Sequence, residues 1–471
     1  MHGATLACYF KQWNRSAALA MMLIFLLTGA LILLPRLHVA HAQSDDWPTY
    51  QDDYGRSGFN SAETIINPSS APHLKVHWSY KAAGAITTQP VEANGMIYWG
   101  SWDGFEHAMN LDGTQAWQTN LGQTVDSSCH PPAAGVASTA AVASVLIGGT
   151  LTPVVFVGGG NATFYALNAA SGAVIWNTPL GPSPSTFLWD SPAVYNNSIY
   201  IGVSSFGDCP LVQGQLVQLD ASTGTIQHIF DTVPAGCLGA GVWGSPTIDA
   251  SDGSMYFVTG DKGSCSTREV YAFAIVKLRA TDLNYLSSWQ VPPTRREFGS
   301  TPTLFQTTIN GVMHQLVGVA NKNGIYYAFD RGAISNGPVW QATIAVSGGC
   351  PECGQGSISP SSWDGTALYV AGGHTTISGN SCLGSLRALN PADGTFLWED
   401  CLNDGAVLAA VSAVPGVAVV GEGTHLVVVA TTTGQVLFNF AAGKRFWGAA
   451  SLSNGVLYMG DVKGTLYAFG T

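Results

Sequence analysis

One short phrase recurs along this chain and constrains its fold more than any other feature. The phrase is Ala-x-Asn/Asp, a short turn and then Gly-x-x-x-Trp, and it is plainest in Ala166–Trp176 and Ala388–Trp398. Each copy follows a strand of small residues and Pro, and then an apolar strand that ends in Gly. A period of about 50 residues with four strand-like segments is typical of a β-propeller blade. We therefore predict an all-β propeller of four-stranded antiparallel blades.

The strand of small residues marks the start of each blade, and it occurs eight times. The blades, numbered 1 to 8 in chain order, start at Thr87, Gly135, Leu188, Gly241, Glu297, Gly354, Ala406 and Arg445. The eighth blade ends at Thr471, one strand short. The segment His73–Tyr80 has the residue types of the missing strand. We expect it to pair into blade 8 and close the ring, which removes two exposed sheet edges.

The second half of the phrase has a structural role in this prediction. Asn or Asp and Gly form the turn between the two outer strands, and the Trp packs between adjacent blades. The tryptophans expected to belong to the core for this reason are Trp117, Trp176, Trp289, Trp340 and Trp398.

Composition agrees with many short strands and excludes several function classes. Charged residues make up only 10% of the chain, while glycines number 56, which fits strands joined by tight turns better than helical bundles or disorder. Basic runs are absent, so nucleic acid is not an expected partner. The formal net charge of −11 disfavours binding to anionic membranes. We expect a monomer.

The first 42 residues are predicted to be a signal peptide. Lys11 and Arg15 precede the apolar stretch Ala17–Leu34, and Ala40-His41-Ala42 supplies a cleavage site. An uncleaved anchor is the alternative, because an apolar stretch of this length can nearly span a bilayer. Either way the protein is expected to be secreted or extracytoplasmic, with an N-terminal extension at residues 43–72 and the propeller at 73–471.

Cysteine usage supports export. Without Cys8, which lies in the targeting segment, eight cysteines remain, and an even number in an exported chain favours disulfides. Cys350-Pro-Glu-Cys353 lacks the second pair that zinc usually needs and the following His of a c-type haem site, so it is predicted to staple a loop. Cys382 and Cys401 flank the outer strands of one blade and are a candidate pair. The remaining pairing stays open.

The repeat phrase resembles the tryptophan-docking repeat of pyrroloquinoline quinone (PQQ) propeller proteins over nearly all of the chain after residue 42. That family includes quinoprotein alcohol dehydrogenases, polyvinyl-alcohol dehydrogenases and a non-enzymatic scaffold of outer-membrane assembly. The repeat does not separate these branches, because it builds blades rather than a site. The stretch Asp46–Trp78 looks like the N-terminal segment of the dehydrogenases.

The resemblance implies roles for four residues of blades 4 and 5. Val242–Asp261 is similar to a dehydrogenase stretch in which a Trp forms the floor under the cofactor and an Asn ligates calcium. Trp243 matches the floor, and Asp261 replaces the Asn, which suits calcium because it offers an anionic oxygen. Glu297 takes the place of the catalytic, calcium-binding Asp. Lys322 takes the place of the cation that contacts the quinone.

The chemistry of PQQ explains why such residues would gather. PQQ is a planar polyacid with an electrophilic carbonyl, so it needs an aromatic floor, compensating cations and a carboxylate base. Trp189, Asp190 and Trp447 head inner strands and are further candidates for lining the cofactor funnel. Each candidate also has a purely structural interpretation, as a channel-filling aromatic, a turn cap, a solvated carboxylate or an exposed turn lysine.

Two features of the dehydrogenase branch are missing from this chain. The adjacent Cys-Cys pair that caps the cofactor in many of these enzymes is absent. The calcium-ligating Glu of the third blade is unmatched as well, since Phe206 stands there and Asp208 is the nearest carboxylate.

Three functions follow from the sequence, of which the third is a sugar- or polymer-binding surface protein that uses exposed loop aromatics. The first is an exported PQQ-dependent dehydrogenase, with PQQ and calcium but no haem, that oxidises an alcohol or a hydroxylated polymer and passes electrons to a separate acceptor. The second is a non-catalytic propeller that acts as a protein- or polysaccharide-binding scaffold at the cell surface.

Overall fold

Each copy of the repeat folds into one antiparallel blade, and eight blades form the propeller that the sequence predicts. The structure is a computed structural model that describes residues 45–261, 263, 265, 269–292 and 296–471. The predicted signal peptide or anchor at residues 1–42 lies outside the described residues. Among the residues that the structure describes, no helix is long and apolar enough to cross a bilayer.

The strands run outwards from the channel in chain order within each blade. Blade 1 has the strands Val91–Ala93, Met96–Gly100, Phe105–Asn110 and Gln115–Asn120, and blade 2 has Ala141–Ile147, Thr150–Gly158, Thr163–Asn168 and Val174–Pro179. Blade 3 has Ala193–Tyr195, Ser198–Ser205, Gln215–Asp220 and Ile226–Asp231, and blade 4 has Thr247–Asp249, Ser254–Val258, Ala274–Arg279 and Tyr285–Gln290. Blade 5 has Thr303–Ile309, Val312–Ala320, Ile325–Asp330 and Trp340–Thr343, and blade 6 has Ser362–Trp363, Leu368–Gly372, Gly384–Leu389 and Phe396–Leu402. Blade 7 has Ser412–Val414, Val417–Glu422, His425–Ala430 and Val436–Ala441, and blade 8 has Ser451–Ser453, Val456–Gly460, Thr465–Gly470 and Lys75–Lys81.

Short accessory elements decorate the blades. Thr186–Phe187 pairs with the second strand of blade 3, and two small hairpins are formed by Thr124–Val125 with Ala133–Ala134 and by Thr375–Ile377 with Asn380–Cys382. Three single 3-10 turns are the only helical segments among the described residues: Ala71–His73, Ile334–Asn336 and Pro351–Cys353.

The predicted ring closure is confirmed. Lys75–Lys81 pairs antiparallel with Thr465–Gly470, with Lys75 opposite Gly470 and Trp78 opposite Ala468. The closing strand starts two residues later than predicted, because His73 ends a 3-10 turn. The first and last strands of the propeller therefore belong to one sheet.

The tryptophan of the phrase packs on the glycine of the next blade's phrase. A Cβ on Gly172 would lie 2.5 Å from Cε3 of Trp117, and the Trp117 indole donates Nε1–H to the Ala169 carbonyl at 2.9 Å. Four further pairs repeat this contact: Trp176 with Gly224, Trp340 with Gly394, Trp398 with Gly434 and Trp78 with Gly113. The phrase therefore couples each of these blades to its neighbour.

Trp289 departs from this arrangement. The residue at the docking position of blade 4 is Ser287, which pairs with Lys277 as Trp176 pairs with Ala166. Trp289 lies two residues further along, half-buried against Tyr327 and Phe329 at ring distances of 5.2 and 5.1 Å. It still packs between blades 4 and 5 as predicted, because a Cβ on Gly337 of blade 5 would lie 3.3 Å from its Nε1.

Replacing Gly172 by Ala should lower the free energy of unfolding by about 2–4 kcal/mol. Its φ of +70° disfavours a side chain, and the new Cβ would also displace the Trp117 ring. Gly95→Ala is the matched control, since its φ is +75° but nothing lies within 4 Å of the added carbon. Denaturant unfolding would compare the two variants. Equal losses would mean that the Trp–Gly contact adds no stability.

Small polar residues on the inner strands link consecutive blades. The backbone N–H of Gln89 donates to Thr139 Oγ1 at 2.8 Å, and that of Thr139 donates to Ser191 Oγ at 3.0 Å. Ser191 N–H donates to Ser245 Oγ at 2.9 Å, and Ser245 N–H to Thr301 Oγ1 at 3.0 Å. A belt of hydrogen bonds thus joins blades 1 to 5 around the channel.

The leader, residues 45–60, crosses one end of the channel and bonds to the inner region of every blade. In blade order the bonding pairs are Trp47 with Glu92, Pro48 with Val142, Arg56 with Pro192, Tyr54 with Ile248, Gly55 with Leu304, Ser57 with Trp363, Gly58 with Ala413 and Asn60 with Leu452. Residues 45–471 accordingly form one compact unit. The leader closes this end of the channel, and access remains at the other.

Four disulfides account for the eight cysteines after Cys8. They join Cys129 to Cys209, Cys237 to Cys265, Cys350 to Cys353 and Cys382 to Cys401. The loop staple and the Cys382–Cys401 pair are therefore confirmed. Disulfides persist in oxidising compartments, which supports an extracytoplasmic location.

Because of Glu106, the free energy of unfolding is expected to depend on pH. Its side chain is fully buried, and neither carboxyl oxygen has a hydrogen-bond partner among the described residues, so burial raises its pKa well above the ordinary value. The folded state then holds a proton that the unfolded state releases as the pH rises past the ordinary value. Stability should fall with rising pH by at most about 1.4 kcal/mol per pH unit.

Glu106→Gln tests this, because it keeps the shape of the side chain and removes the titration. In denaturant unfolding the variant should be more stable than the wild type at pH 8, and the difference should vanish near pH 4. Identical pH dependence in the two proteins would contradict the assignment to Glu106.

Candidate functional site

The segments that lead into the eight inner strands each present one equivalent residue to the open end of the channel. These positions are Thr87, Ala137, Trp189, Trp243, Gly299, Ile358, Leu408 and Trp447, and all of them line one cavity of about 440 Å³. Two residues further along each of these segments, a second layer contributes side chains such as Thr139 and Ser245. Tyr50 of the leader also lines the cavity.

One wall of this cavity is a cluster of three indoles. The Trp102 ring lies 6.1 Å from that of Trp189 and 6.2 Å from that of Trp447, and its Nε1–H donates to Thr87 Oγ1 at 2.9 Å. Trp189 and Trp447 therefore lie in the funnel where the sequence analysis put them. The same analysis missed Trp102.

The register of the repeat contains the signal that would have found Trp102. Trp102-Asp103-Gly104 follows the second strand of blade 1 as Lys322-Asn323-Gly324 follows that of blade 5. The two turns also share their backbone bonds, from Gly104 N to Ser101 O and from Gly324 N to Asn321 O. Both turns carry a side chain over the channel.

Trp243, Lys322 and Glu297 form one contact group at this end of the channel. The Lys322 ammonium lies 4.8 Å from the centre of the Trp243 ring, within the range of a cation–π interaction, and pairs with Glu297 Oε1. The side chains of Lys322 and Glu297 are only 13% and 17% exposed. The structure thus brings together an aromatic face, a cation and a carboxylate.

Two glycines make room for this group. A Cβ on Gly299 would overlap the Trp243 ring, and one on Gly260 would lie 2.8 Å from Glu297 Oε2. Gly299 lies in the segment that leads into the inner strand of blade 5, and Trp243 in the equivalent segment of blade 4. The missing side chain explains how a large indole fits where inner strands converge.

An acidic pocket of about 200 Å³ also adjoins Trp243 and is lined by Asp208, Asp261 and Glu297. The Asp261 N–H donates to Glu297 Oε2 at 3.2 Å. Burial and the neighbouring Glu297 charge raise the pKa of Asp261 to about 6 and also raise the pKa of Asp208, while the Lys322 charge opposes both shifts. Asp208, the carboxylate nearest to the unmatched family Glu, therefore belongs to this group.

The carboxylate oxygens of this pocket are close together, but they are not arranged as a ready metal site. Within the described part of the chain, the side-chain oxygens of Asp208, Asp261 and Glu297 do not all lie within 4.8 Å of one another. A cation would have to draw them together. Their donor chemistry, all oxygen and anionic, is that of a calcium ligand set.

Asp190 does not join the other predicted site residues. Its side chain is 1% exposed, and Oδ2 accepts a hydrogen bond from Gly202 N at 2.7 Å. Asp190 is therefore not among the residues that line the cavity with Trp189. Burial raises its pKa well above the ordinary value.

Two disulfide-held loops border the cavity. The Cys129–Cys209 bridge fixes the loop of His130 and Pro131, and the Cys350–Cys353 bridge encloses Pro351 and Glu352. The second loop also bonds to the backbone of Lys322, because Gly348 N–H donates to the Lys322 carbonyl at 3.0 Å.

Known proteins resemble this chain along most of its length. A polyvinylalcohol dehydrogenase from a Pseudomonas species is 24% identical over 443 residues, which cover 82% of this chain and 66% of that protein. A quinohemoprotein alcohol dehydrogenase from Comamonas testosteroni is 25% identical over 339 residues, or 62% of this chain and 45% of that protein. The chain thus spans about two thirds of the first relative and less than half of the second. The expectation that it holds no haem stays a prediction.

The fold has a solved counterpart. The crystal structure of the quinohemoprotein alcohol dehydrogenase from Comamonas testosteroni superposes with a TM-score of 0.76 at 19% identity, covering 92% of this chain and 82% of that chain. The PQQ-repeat family model described as outer membrane protein assembly factor BamB matches residues 112–272 and 383–471, more than half of the chain. The chain therefore belongs to the PQQ-repeat propeller family.

Proposed function

We propose that this protein is a PQQ-dependent dehydrogenase that oxidises an alcohol at the open end of the channel. The observation that carries the proposal is the Lys322 ammonium, 4.8 Å above the Trp243 ring and paired with Glu297 beside the 440 Å³ cavity. The dehydrogenase relatives support the same reaction class.

The residues of the cavity fit this cofactor. A volume of about 440 Å³ is within the usual range for small-molecule sites, and the Trp243 face suits a planar ring system. Lys322 offers a positive charge to a polyacid. When bound, PQQ would supply a two-electron acceptor, which none of the amino-acid side chains provides.

The protein's own residues would handle the proton and the orientation. Glu297 lines the acidic pocket together with Trp243 and would accept the hydroxyl proton of the alcohol, while its salt bridge to Lys322 fixes its direction. The indoles of Trp102, Trp189 and Trp447 would exclude water and hold the carbon chain of the substrate. Electrons would then pass to a separate acceptor.

Calcium fits the acidic pocket for an electrostatic reason. Asp208 and Asp261 have raised pKa values because they are partly buried near Glu297, and a divalent cation would offset that crowding. We propose these three carboxylates as its ligands, with Asp208 replacing the missing glutamate.

Titration with PQQ tests the proposed function. The purified protein is mixed with PQQ, with and without calcium, while cofactor absorbance, melting temperature and dye-linked alcohol oxidation are followed. We expect a saturable absorbance change, a higher melting temperature and oxidation that depends on PQQ. A protein that neither binds PQQ nor oxidises alcohols would contradict the proposal.

The calcium site has its own test. Calcium should raise the melting temperature of the wild type, because a ligand bound only to the folded state stabilises it, and Asp261→Ala should remove most of this rise. Asp112→Ala is the control, since Asp112 is an exposed turn carboxylate of blade 1. An unchanged calcium effect in Asp261→Ala would place the cation elsewhere.

A scaffold function is the second candidate, and the matched family model described as an assembly factor favours it. In that case the propeller would present its loops to a protein or polysaccharide. Failure of the PQQ titration, together with stable binding of such a partner, would select this function.

A further inference from the structure

Blade 3 lacks the Ala–Trp pair that five other blades have on their outer strands. Five blades place Ala opposite Trp on their outer strands: Ala108 and Trp117, Ala166 and Trp176, Ala328 and Trp340, Ala388 and Trp398, and Ala468 and Trp78. In blade 3 the same positions hold Gln218 and His228. The phrase there reads Gly224-x-x-x-His228. Two polar side chains thus replace a packed indole and the methyl group opposite it.

A cavity of about 550 Å³ lies where the indole would pack, between blades 3 and 4. It is lined by Tyr195, Asn196, Ser198, Tyr200, Gln218, Gln227, His228, Gly253, Ala280 and Thr281. None of these residues is an acid, a lysine or an arginine. Its floor is buried at Ser198, Tyr200 and Gln218, while Asn196, Gln227, His228 and Thr281 form an exposed rim.

The floor is a network of neutral hydrogen-bonding groups. Gln218 Nε2 donates to Ser198 Oγ at 3.0 Å and to Tyr200 Oη at 3.4 Å, and Ser198 Oγ donates to Gln227 Oε1 at 3.1 Å. Tyr200 Oη donates to the Ala280 carbonyl at 2.7 Å, in the neighbouring blade. The network therefore holds both walls of the cavity in place.

One acceptor in this network lacks a partner. Gln218 is 3% exposed, and its Oε1 accepts no hydrogen bond within the described structure. A buried amide oxygen without a donor costs about 1–3 kcal/mol. This oxygen is itself almost inaccessible, so a ligand hydroxyl would remove that cost if the Gln218 amide turned towards the cavity.

Aromatic surface extends this site towards the leader. Tyr195 lines the cavity, and Tyr54 packs against it at a ring distance of 5.5 Å while staying 41% exposed. Tyrosines combine a flat apolar face with a polar tip, which suits a ligand that has both C–H faces and hydroxyl groups.

We propose that this cavity is a binding site for a neutral sugar unit. Neutral donors and acceptors, two tyrosine rings and the lack of charged lining residues favour a polyhydroxylated, uncharged ligand over an acid or an amine. The site lies beside the turn that ends the inner strand of blade 3, whereas Trp189 lies before that strand begins. It is thus at the other end of the blade from the funnel, and it does not depend on the proposed dehydrogenase function.

Calorimetric titration of the full protein tests the proposal with glucose, galactose, galacturonate, maltotetraose and cellotetraose. We expect at least one neutral sugar to bind and galacturonate to bind at least about tenfold more weakly than galactose. Tetramers binding more tightly than glucose would identify a glycan chain as the natural source. Equal affinities would identify a free sugar.

The double variant Gln218→Ala/His228→Trp restores the pair used by the other blades and should fill the cavity. We expect it to lose at least tenfold in sugar affinity with no loss of melting temperature and no change in any dye-linked activity. Gln435→Ala, at an exposed turn of blade 7, is the control and should bind like the wild type. Absence of neutral sugar binding to the wild type, or full binding by the double variant, would overturn the proposal.

Discussion

Trp243→Ala is expected to weaken PQQ binding at least about 100-fold. Removing a half-buried indole that faces a bound ring costs about 3 kcal/mol or more, and each 1.4 kcal/mol is a tenfold change in affinity. The change also leaves the Lys322 ammonium without its aromatic partner at 4.8 Å. Direct titration of the cofactor by absorbance measures the loss without requiring turnover.

Trp447→Ala is the matched comparison for this prediction. Trp447 lines the same cavity, but the contacts of its ring are to Trp102 rather than to Lys322. We expect Trp447→Ala to lower PQQ affinity by less than about tenfold, because the change removes apolar contact area but no contact with a charged group. Similar losses in the two variants would show that Trp243 is one wall residue among several and not the floor.

Arg56→Met should lower the free energy of unfolding by about 3–5 kcal/mol, the largest stability effect we expect from a single side chain here. Arg56 is fully buried in the leader. Its guanidinium donates to the carbonyls of Tyr50, Pro192 and Pro246 at 2.6, 3.0 and 3.0 Å. Met fills similar volume but leaves these three acceptors unpaired, at about 1–3 kcal/mol each.

Part of this loss in the free energy of unfolding is offset, because the wild type has to bury the Arg56 charge and the variant does not. Burial lowers the pKa of Arg56 to about 10, because the charge is taken out of water. Denaturant unfolding of Arg56→Met measures the net effect. Arg279→Met, which removes an exposed arginine paired with Asp282, should change stability by less than about 0.5 kcal/mol. A small loss in both variants would mean that the leader contributes little to the fold.

The blades could be predicted from sequence because their signal is periodic and repeated. Each copy of the phrase specifies a turn through Asn168 or its equivalents and a contact between neighbours through Trp117 and Gly172. The closing strand was predictable because it supplies a residue pattern that the last blade lacks. The leader follows no such pattern. It bonds mostly through backbone groups, and backbone bonding leaves little trace in residue types.

The site was predicted in part. Trp243, Asp261, Glu297 and Lys322 come together, since equivalent positions of neighbouring blades meet at one end of the channel. Asp190 does not join them, because its buried carboxylate accepts a hydrogen bond from the Gly202 N–H. Sequence pattern alone assigns no role to these residues, so their part in catalysis stays a prediction.

The cavity between blades 3 and 4 was not predicted for a different reason. Its signal is a departure from the repeat at His228, whereas the fold is predicted from the positions that repeat. Comparing the paired positions of all blades, as Gln218 and His228 are compared with Ala166 and Trp176, would have indicated it.

The leader has a kinetic consequence for any pair of molecules that share the channel. Since residues 45–60 bond to all eight blades at one end, a cofactor and a substrate bound as proposed would share a single entrance, past the indoles of Trp102 and Trp447. A molecule held on Trp243 would then have to enter first and leave last. Turnover would follow a compulsory order, and an excess of alcohol should slow both the entry and the escape of the quinone.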